Sequence, residues 1–230
     1  MVILAALMLH SPSTASTPMA RGEDATVSVL HAIPAGLGAD VVDVYAGRNI
    51  IIDDMTPGTL ETVKLPGGTY AFTVLQDGRT LDGGAPLLRV AQTKVPSGAN
   101  VTITANLDAA GRPALNGFTN DTTTVGRGMG RLTVRHIAFA EAIDIRSAGR
   151  VLFTGLRNPR QADAGLNAGR FAPYATVAGT RDVVLRPTPI TITNKPGTSD
   201  MGTNTIVYLW GSAVDGSLRA VAQNVRIDLQ

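Results

Sequence analysis

The chain has 230 residues, 44% of them hydrophobic but only 4% aromatic, with 25 Gly, 13 Pro and a net charge of +2. Near-neutral charge with Arg scattered along the chain excludes the basic, aromatic-laced footprint of a nucleic-acid binder. The absence of Cys excludes disulfides, thiolate metal sites, Cys nucleophiles and a Cys-linked lipid anchor.

In chain order, Val2 to Leu9 is a short apolar run followed by small and polar residues, with Ser13-Thr14-Ala15 offering a cleavage site and Pro18-Met19-Ala20 a weaker one. The run is too short to span a bilayer and fits the central region of a secretory signal, although no Lys or Arg precedes it. Strands are then predicted by period-two alternation over Thr26–His31, Val41–Tyr45, Arg48–Ile52, Thr59–Leu65, Thr69–Val74, Leu87–Val95 and Asn100–Asn106, with a closing hairpin around Asp108-Ala109-Ala110-Gly111. Gln76 to Ala85 is rich in Gly and Asp and reads as a loop. Asn120 to Gly130 reads as a linker, flexible unless the flanking domains pack together. Its Gly126-Arg127-Gly128-Met129-Gly130 spacing resembles a phosphate loop, but the alternating segment that follows is a strand and not the helix such a loop needs. The second half predicts strands over Leu132–Ile137, Ala142–Arg146, Arg150–Phe153, Gly169–Val177, Asp182–Leu185, Ile190–Thr193, Asn204–Trp210 and Leu218–Val225, with Pro173 marking an edge or bulge.

The two halves repeat at an offset of roughly 100 residues, a length that suits a whole domain rather than a solenoid unit. Val27-Ser28-Val29-Leu30-His31-Ala32 returns as Leu132-Thr133-Val134-Arg135-His136-Ile137, Val42-Asp43-Val44 as Ile143-Asp144-Ile145, and Asn100-Val101-Thr102-Ile103 as Asn204-Thr205-Ile206-Val207. Many short strands with regular turn signals make each half an all-β sandwich. The organisation is therefore 1–24 signal and N-terminal tail, 25–119 first domain, 120–130 linker and 131–230 second domain.

The segments Val27–Ala32, Val42-Asp43-Val44-Tyr45 and Leu65-Pro66-Gly67-Gly68-Thr69-Tyr70 resemble the pattern of the DUF4397 family. Val134-Arg135-His136 and Asn204–Gly211 carry it into the second half, although Asp144-Ile145-Arg146 and Asn167-Ala168-Gly169-Arg170-Phe171 depart from it. The resemblance runs from Ala25 to the C-terminus. It implies tandem Ig-like or transthyretin-like β-sandwich domains and an exported bacterial protein of actinobacterial type, with no assigned molecular activity.

Recurrence singles out two residue pairs. His31 and His136 are candidates for a general base or a metal ligand. They share strand parity with Val29 and Val134, which points them inward, where each would hold a strand end through a loop carbonyl. Asp43 and Asp144 lie on the opposite parity from their Val and Ile neighbours and are expected to point outward, away from the His. No Gly-x-Ser-x-Gly elbow is present, and Gly211-Ser212 and Gly216-Ser217 lack that context. Asp77-Gly78 and Asp82-Gly83 read as turns, and Glu is rare, at Glu23, Glu61 and Glu141. Asp53-Asp54 is an adjacent Asp pair, without the alternating oxygens of a calcium loop. Tyr208 and Trp210 share a strand face and read as core. No catalytic, cofactor or metal residue is assigned. The expectation is a non-enzymatic, secreted or envelope-associated binding or structural protein with an unidentified envelope partner, no nucleic acid and no membrane span. The alternatives are a secreted hydrolase with its site between the domains, or an adaptor with an exposed apolar patch. Local function is expected where the copies differ: Gln76–Ala85, Asn158–Asn167 and the linker.

Overall fold

The structure is a computed structural model that describes residues 22–194 and 202–227. The expected signal segment, with His10 and both cleavage sites, and the C-terminal Asp228-Leu229-Gln230 lie outside the described residues. The described residues are all-β, with 18 strands, and no helix among them is long and apolar enough to cross a membrane.

In the first half, β1 (Ala25–Ala32), β4 (Leu60–Leu65), β7 (Asn100–Leu107) and β8 (Pro113–Thr119) form a sheet in the order β4-β1-β7-β8. Strands β2 (Val42–Ala46), β3 (Asn49–Met55), β5 (Gly68–Gln76) and β6 (Leu88–Val95) form a second, ordered β3-β2-β5-β6. The two sheets close on Val29, Val42, Val44, Ile52, Val74 and Ala105 at one end of the core and on Val27, Phe72, Val95 and Ile103 at the other. Strands β1 and β7 run parallel, with Val29 opposite Ile103 and His31 opposite Ala105.

The second half rebuilds this plan. Strands β9 (Met129–His136), β12 (Arg160–Asn167), β17 (Thr203–Trp210) and β18 (Arg219–Arg226) form a sheet ordered β12-β9-β17-β18, with β9 and β17 parallel. Strands β10 (Ile143–Ser147), β11 (Arg150–Leu156), β14 (Tyr174–Val177) and β15 (Val183–Leu185) form its partner, ordered β11-β10-β14-β15. Two sequence readings are corrected here. The segment 160–167, expected to be a place of divergence, is β12, which pairs with β9 along its whole length as β4 pairs with β1. Its alternation is easily missed, because two of the three inward positions, Ala162, Ala164 and Leu166, are small residues of low strand propensity. The expected strand Gly169–Val177 is broken at Pro173: β13 (Gly169–Phe171) leaves to pair with β16 (Ile190–Ile192), and only β14 stays in the sheet.

The inner sheets of the two halves face each other, so β1 and β9 are buried on both faces, as central strands of a layered stack are. Leu30, Ala32 and Phe118 of the first half meet Ile137, Ile206, Tyr208, Trp210 and Val225 of the second. Gly58, at φ +87°, lies flat against the Trp210 ring, where a Cβ would stand 2.9 Å from Cζ2. Through the middle of this seam runs Arg135, fully buried. It donates to Asn120 Oδ1 (2.8 Å), the Tyr208 hydroxyl (2.7 Å), the Thr119 carbonyl (3.1 Å) and Gln161 Oε1 (2.9 Å). Its guanidinium also stacks over Phe118 at 4.5 Å. The Tyr208 hydroxyl donates to Gln223 Oε1 (2.6 Å), and Gln223 Nε2 donates to Ser28 Oγ (2.8 Å) across the seam. The linker is stitched down and not flexible: Asp121 pairs with Arg131 at 3.1 Å, and Asn204 Nδ2 donates to the Asp121 carbonyl.

These contacts predict one cooperative unfolding transition for both halves, with Trp210 fluorescence and far-UV circular dichroism coinciding in a denaturant titration. Arg135→Ala, which leaves a cavity and removes four hydrogen bonds, is expected to destabilise by about 3–5 kcal/mol. Tyr208→Phe, which removes one hydroxyl and keeps the ring, is expected to lose about 1–2 kcal/mol.

Candidate functional site

The duplicated histidines stand where their strand parity places them, at the ends of β1 and β9. Each is almost fully buried, His31 at 1% exposure and His136 at 0%. His31 Nε2 lies 2.6 Å from the Ala39 carbonyl and His136 Nε2 lies 2.9 Å from the Glu141 carbonyl. A carbonyl only accepts, so Nε2 carries the proton in both rings. Each Nδ1 then accepts a backbone N–H, from Ile33 at 3.4 Å and from Ala138 at 3.3 Å. Both nitrogens of both rings are therefore engaged by the main chain, and the imidazoles pin the loops that follow β1 and β9. Burial pushes both pKa values below the usual 6.5, against the opposing pull of those carbonyls.

The duplicated aspartates lie on the outer face of their sheets, as parity places them, but are not exposed there, at 4% for Asp43 and 5% for Asp144. The cause is a β-bulge that sequence periodicity does not reveal. Val42 pairs with Met55 and Val44 with Ile52, so Asp53 and Asp54 together oppose Asp43. In the second half Thr154 and Gly155 oppose Asp144 in the same way. The second bulge residue has a left-handed backbone in both copies, φ 56° at Asp54 and 61° at Gly155. Its N–H, lost to the ladder, is taken by the aspartate: Asp54 N donates to Asp43 Oδ1 at 3.2 Å and Gly155 N to Asp144 Oδ1 at 2.9 Å.

The two copies then diverge electrostatically. Asp144 also accepts from Gly179 N at 3.0 Å and faces Arg146 at 3.7 Å. The two glycine N–H groups, and Arg146 after them, hold its carboxyl below the usual range. Asp43 has Tyr45 where Asp144 has Arg146, and it faces Asp53 and Asp77. Burial, and then these neighbouring carboxyls, push its pKa up in spite of the Asp54 N–H. Carboxylate oxygens of Asp43, Asp54 and Asp77 lie within 4.8 Å of one another. Among the described residues this trio has the oxygen donors suited to a hard cation. Sequence reading had separated it, with Asp54 in an acidic pair, Asp43 in a strand and Asp77 in a turn.

The remaining candidates are structural. Ser217 Oγ accepts the Ser212 N–H at 2.9 Å and Ser212 Oγ accepts the Val214 N–H at 3.1 Å, so both serines shape the β17–β18 turn. Gly126 and Met129 close a turn that leads into β9, and Asn194 Nδ2 donates to the Met129 carbonyl, so this segment is a strand entry. Tyr208 and Trp210 are buried, in the seam between the halves and not in either sandwich. Where the seam opens, beside the start of β1, it leaves a polar groove of about 730 Å³ lined by Thr26, Ser28, Lys64, Asn100, Gln223 and Arg226, among others. Among the described residues that line it, Glu23 is the one carboxylate and none is a His.

Two measurements test these assignments. Asp43 binds its proton more tightly folded than unfolded, so ionising it removes stability as pH rises through its raised pKa. Asp43→Asn should lift Tm by about 2–5 °C at pH 7 and leave it unchanged near pH 3. Asp144 is the reverse: its contribution is present above the unfolded value of 3.8 and is lost as pH falls through its lowered pKa. Asp144→Asn should therefore destabilise at pH 7, by about 1–3 kcal/mol, so one substitution at equivalent positions moves Tm in opposite directions. For the histidines, lowered pKa values mean stability is complete above about 6.5 and falls as pH drops below it. The slope, at most ~1.4 kcal/mol per pH unit for each of the two protons, is read by denaturant titration between pH 7 and 5.

No curated protein matches the chain. The family model described as a domain of unknown function, DUF4397, matches residues 25–146, more than half of the 230 residues. The match takes in the whole first copy and continues through β9 into β10, ending at Arg146, short of the C-terminal extent of the resemblance read from sequence. The bulge-capping Asp and the loop-pinning His fall inside it twice, as His31 and Asp43 and again as His136 and Asp144, and on this match the chain belongs to the DUF4397 family.

Proposed function

We propose that this chain is an exported, non-enzymatic binding or structural module of the cell envelope or extracellular space, built of two tandem Ig-like or transthyretin-like domains locked into one body. The observation that carries the reading is the state of the duplicated histidines. General-base catalysis needs an imidazole nitrogen within reach of a substrate proton, and all four ring nitrogens of His31 and His136 have main-chain partners. The duplicated aspartates are likewise engaged with backbone N–H groups. Export is supported by the apolar run Val2 to Leu9. A hydrolase working in the groove between the halves is less well supported, because two-carboxylate hydrolysis needs a second acid and the described residues of the groove offer Glu23 alone.

The test has two arms. Fractionation of a native culture should recover the protein from the medium or the envelope and not from the cytoplasm. Purified protein should show no turnover of chromogenic ester, peptide or glycoside substrates. A turnover that survives repurification and disappears in Glu23→Gln would overturn the non-enzymatic reading in favour of the groove.

A further inference from the structure

The two copies differ most in how their open edge is closed. In the first copy the eight-residue β6 runs along the edge and packs on β8. In the second, the equivalent place holds β15, only three residues long, while β16 is drawn away to β13. The side of the second sandwich between β15 and the β17–β18 turn is therefore left open as a continuous trough. One part, about 490 Å³, is lined by Phe139, Ala142, Ile143, Val177, Val184 and Val214. The adjoining part, about 550 Å³, shares Val184 and Ala213 with it and continues past Leu218 to Arg186 and Arg219.

Two independent features describe what fits there. The first is apolar surface. Val214, at 80% the most exposed large hydrophobic residue described, stands at this rim. The second is charge at one end only. Arg186 makes no ion pair among the described residues, and Arg219 donates to the Gly216 and Leu218 carbonyls with no carboxylate within ion-pair distance. Two guanidinium groups without acidic partners at the end of a hydrophobic channel complement an apolar chain that ends in an anion. Guanidinium matches a carboxylate in shape and charge. The opposite end is bounded by Glu141, which repels such a head and fixes its direction.

The geometry points to a binding site for a single-chain fatty carboxylate, with its chain laid over Phe139, Val184 and Val214 and its head held by Arg186 and Arg219. The assignment rests on the reading of the chain as a binding module and gives that module a ligand class.

The experiment is displacement of a fluorescent fatty acid from the full chain by saturated carboxylates from decanoate to palmitate. Affinity should rise about two- to fourfold per added methylene until the trough is filled. Val214→Asp, at an exposed turn that tolerates it, should abolish binding. The double variant Arg186→Glu, Arg219→Glu should weaken palmitate by about tenfold or more and leave hexadecanol unchanged. No displaceable binding, binding indifferent to Val214→Asp, or binding only to anionic phospholipid vesicles and not to the free acid would each overturn the site. Hydrolysis of a palmitoyl ester would overturn the non-enzymatic reading and leave the site standing, so the two failures are separable.

Discussion

A single buried cation organises the centre of this molecule. Among the described residues Arg135 has no carboxylate partner; its charge is met by the oxygens of Asn120, Thr119, Gln161 and Tyr208 and by two aromatic faces. Burying an ion is expensive unless every donor is matched. The matching here is drawn from β8, the linker, β12 and β17 at once, so no half of the chain can satisfy it alone. The seam on which it depends also buries the outer faces of both central sheets. That explains why β1 and β9 lack polar alternation at the surface and why Ser28, Thr102, Asn120 and Gln223 are polar and yet inside.

Duplication of the fold has preserved the devices that shape strands and has let the electrostatics drift. The His that pins a loop and the Asp that caps a bulge are present twice with the same main-chain partners. The residues around the Asp are not. Arg146 and Gly155 stand in one copy where Tyr45 and Asp54 stand in the other, and one carboxyl is stabilised as an anion while its counterpart is crowded by acids. The edge strands have drifted too, because Pro173 interrupts the second copy and only three residues are left to close its side. Chemistry particular to this chain is thus expected at the places where the repeat is imperfect.

Strand parity was enough to turn His31 and His136 inward and to place Tyr208 and Trp210 in the interior. It also put Asp43 and Asp144 on the outer face, but it could not show that they are buried there, because the bulge residue each one caps lies on the partner strand. It was too faint to mark β12, where Ala162, Ala164 and Leu166 alternate but two of the three are small residues of low strand propensity. The acidic trio was invisible for a related reason: Asp43, Asp54 and Asp77 belong to three separate segments that only sheet pairing brings together.

The chain by itself determined its all-β class, its internal duplication and most strand positions, because alternation and turn residues act over a few neighbours. Only the tertiary structure decided that the halves pack through their inner sheets, that the recurring His and Asp are engaged with the main chain, and that the second copy is open along one side. Those outcomes depend on hydrogen-bond partners and apposed surfaces far apart in sequence, where local periodicity carries no information.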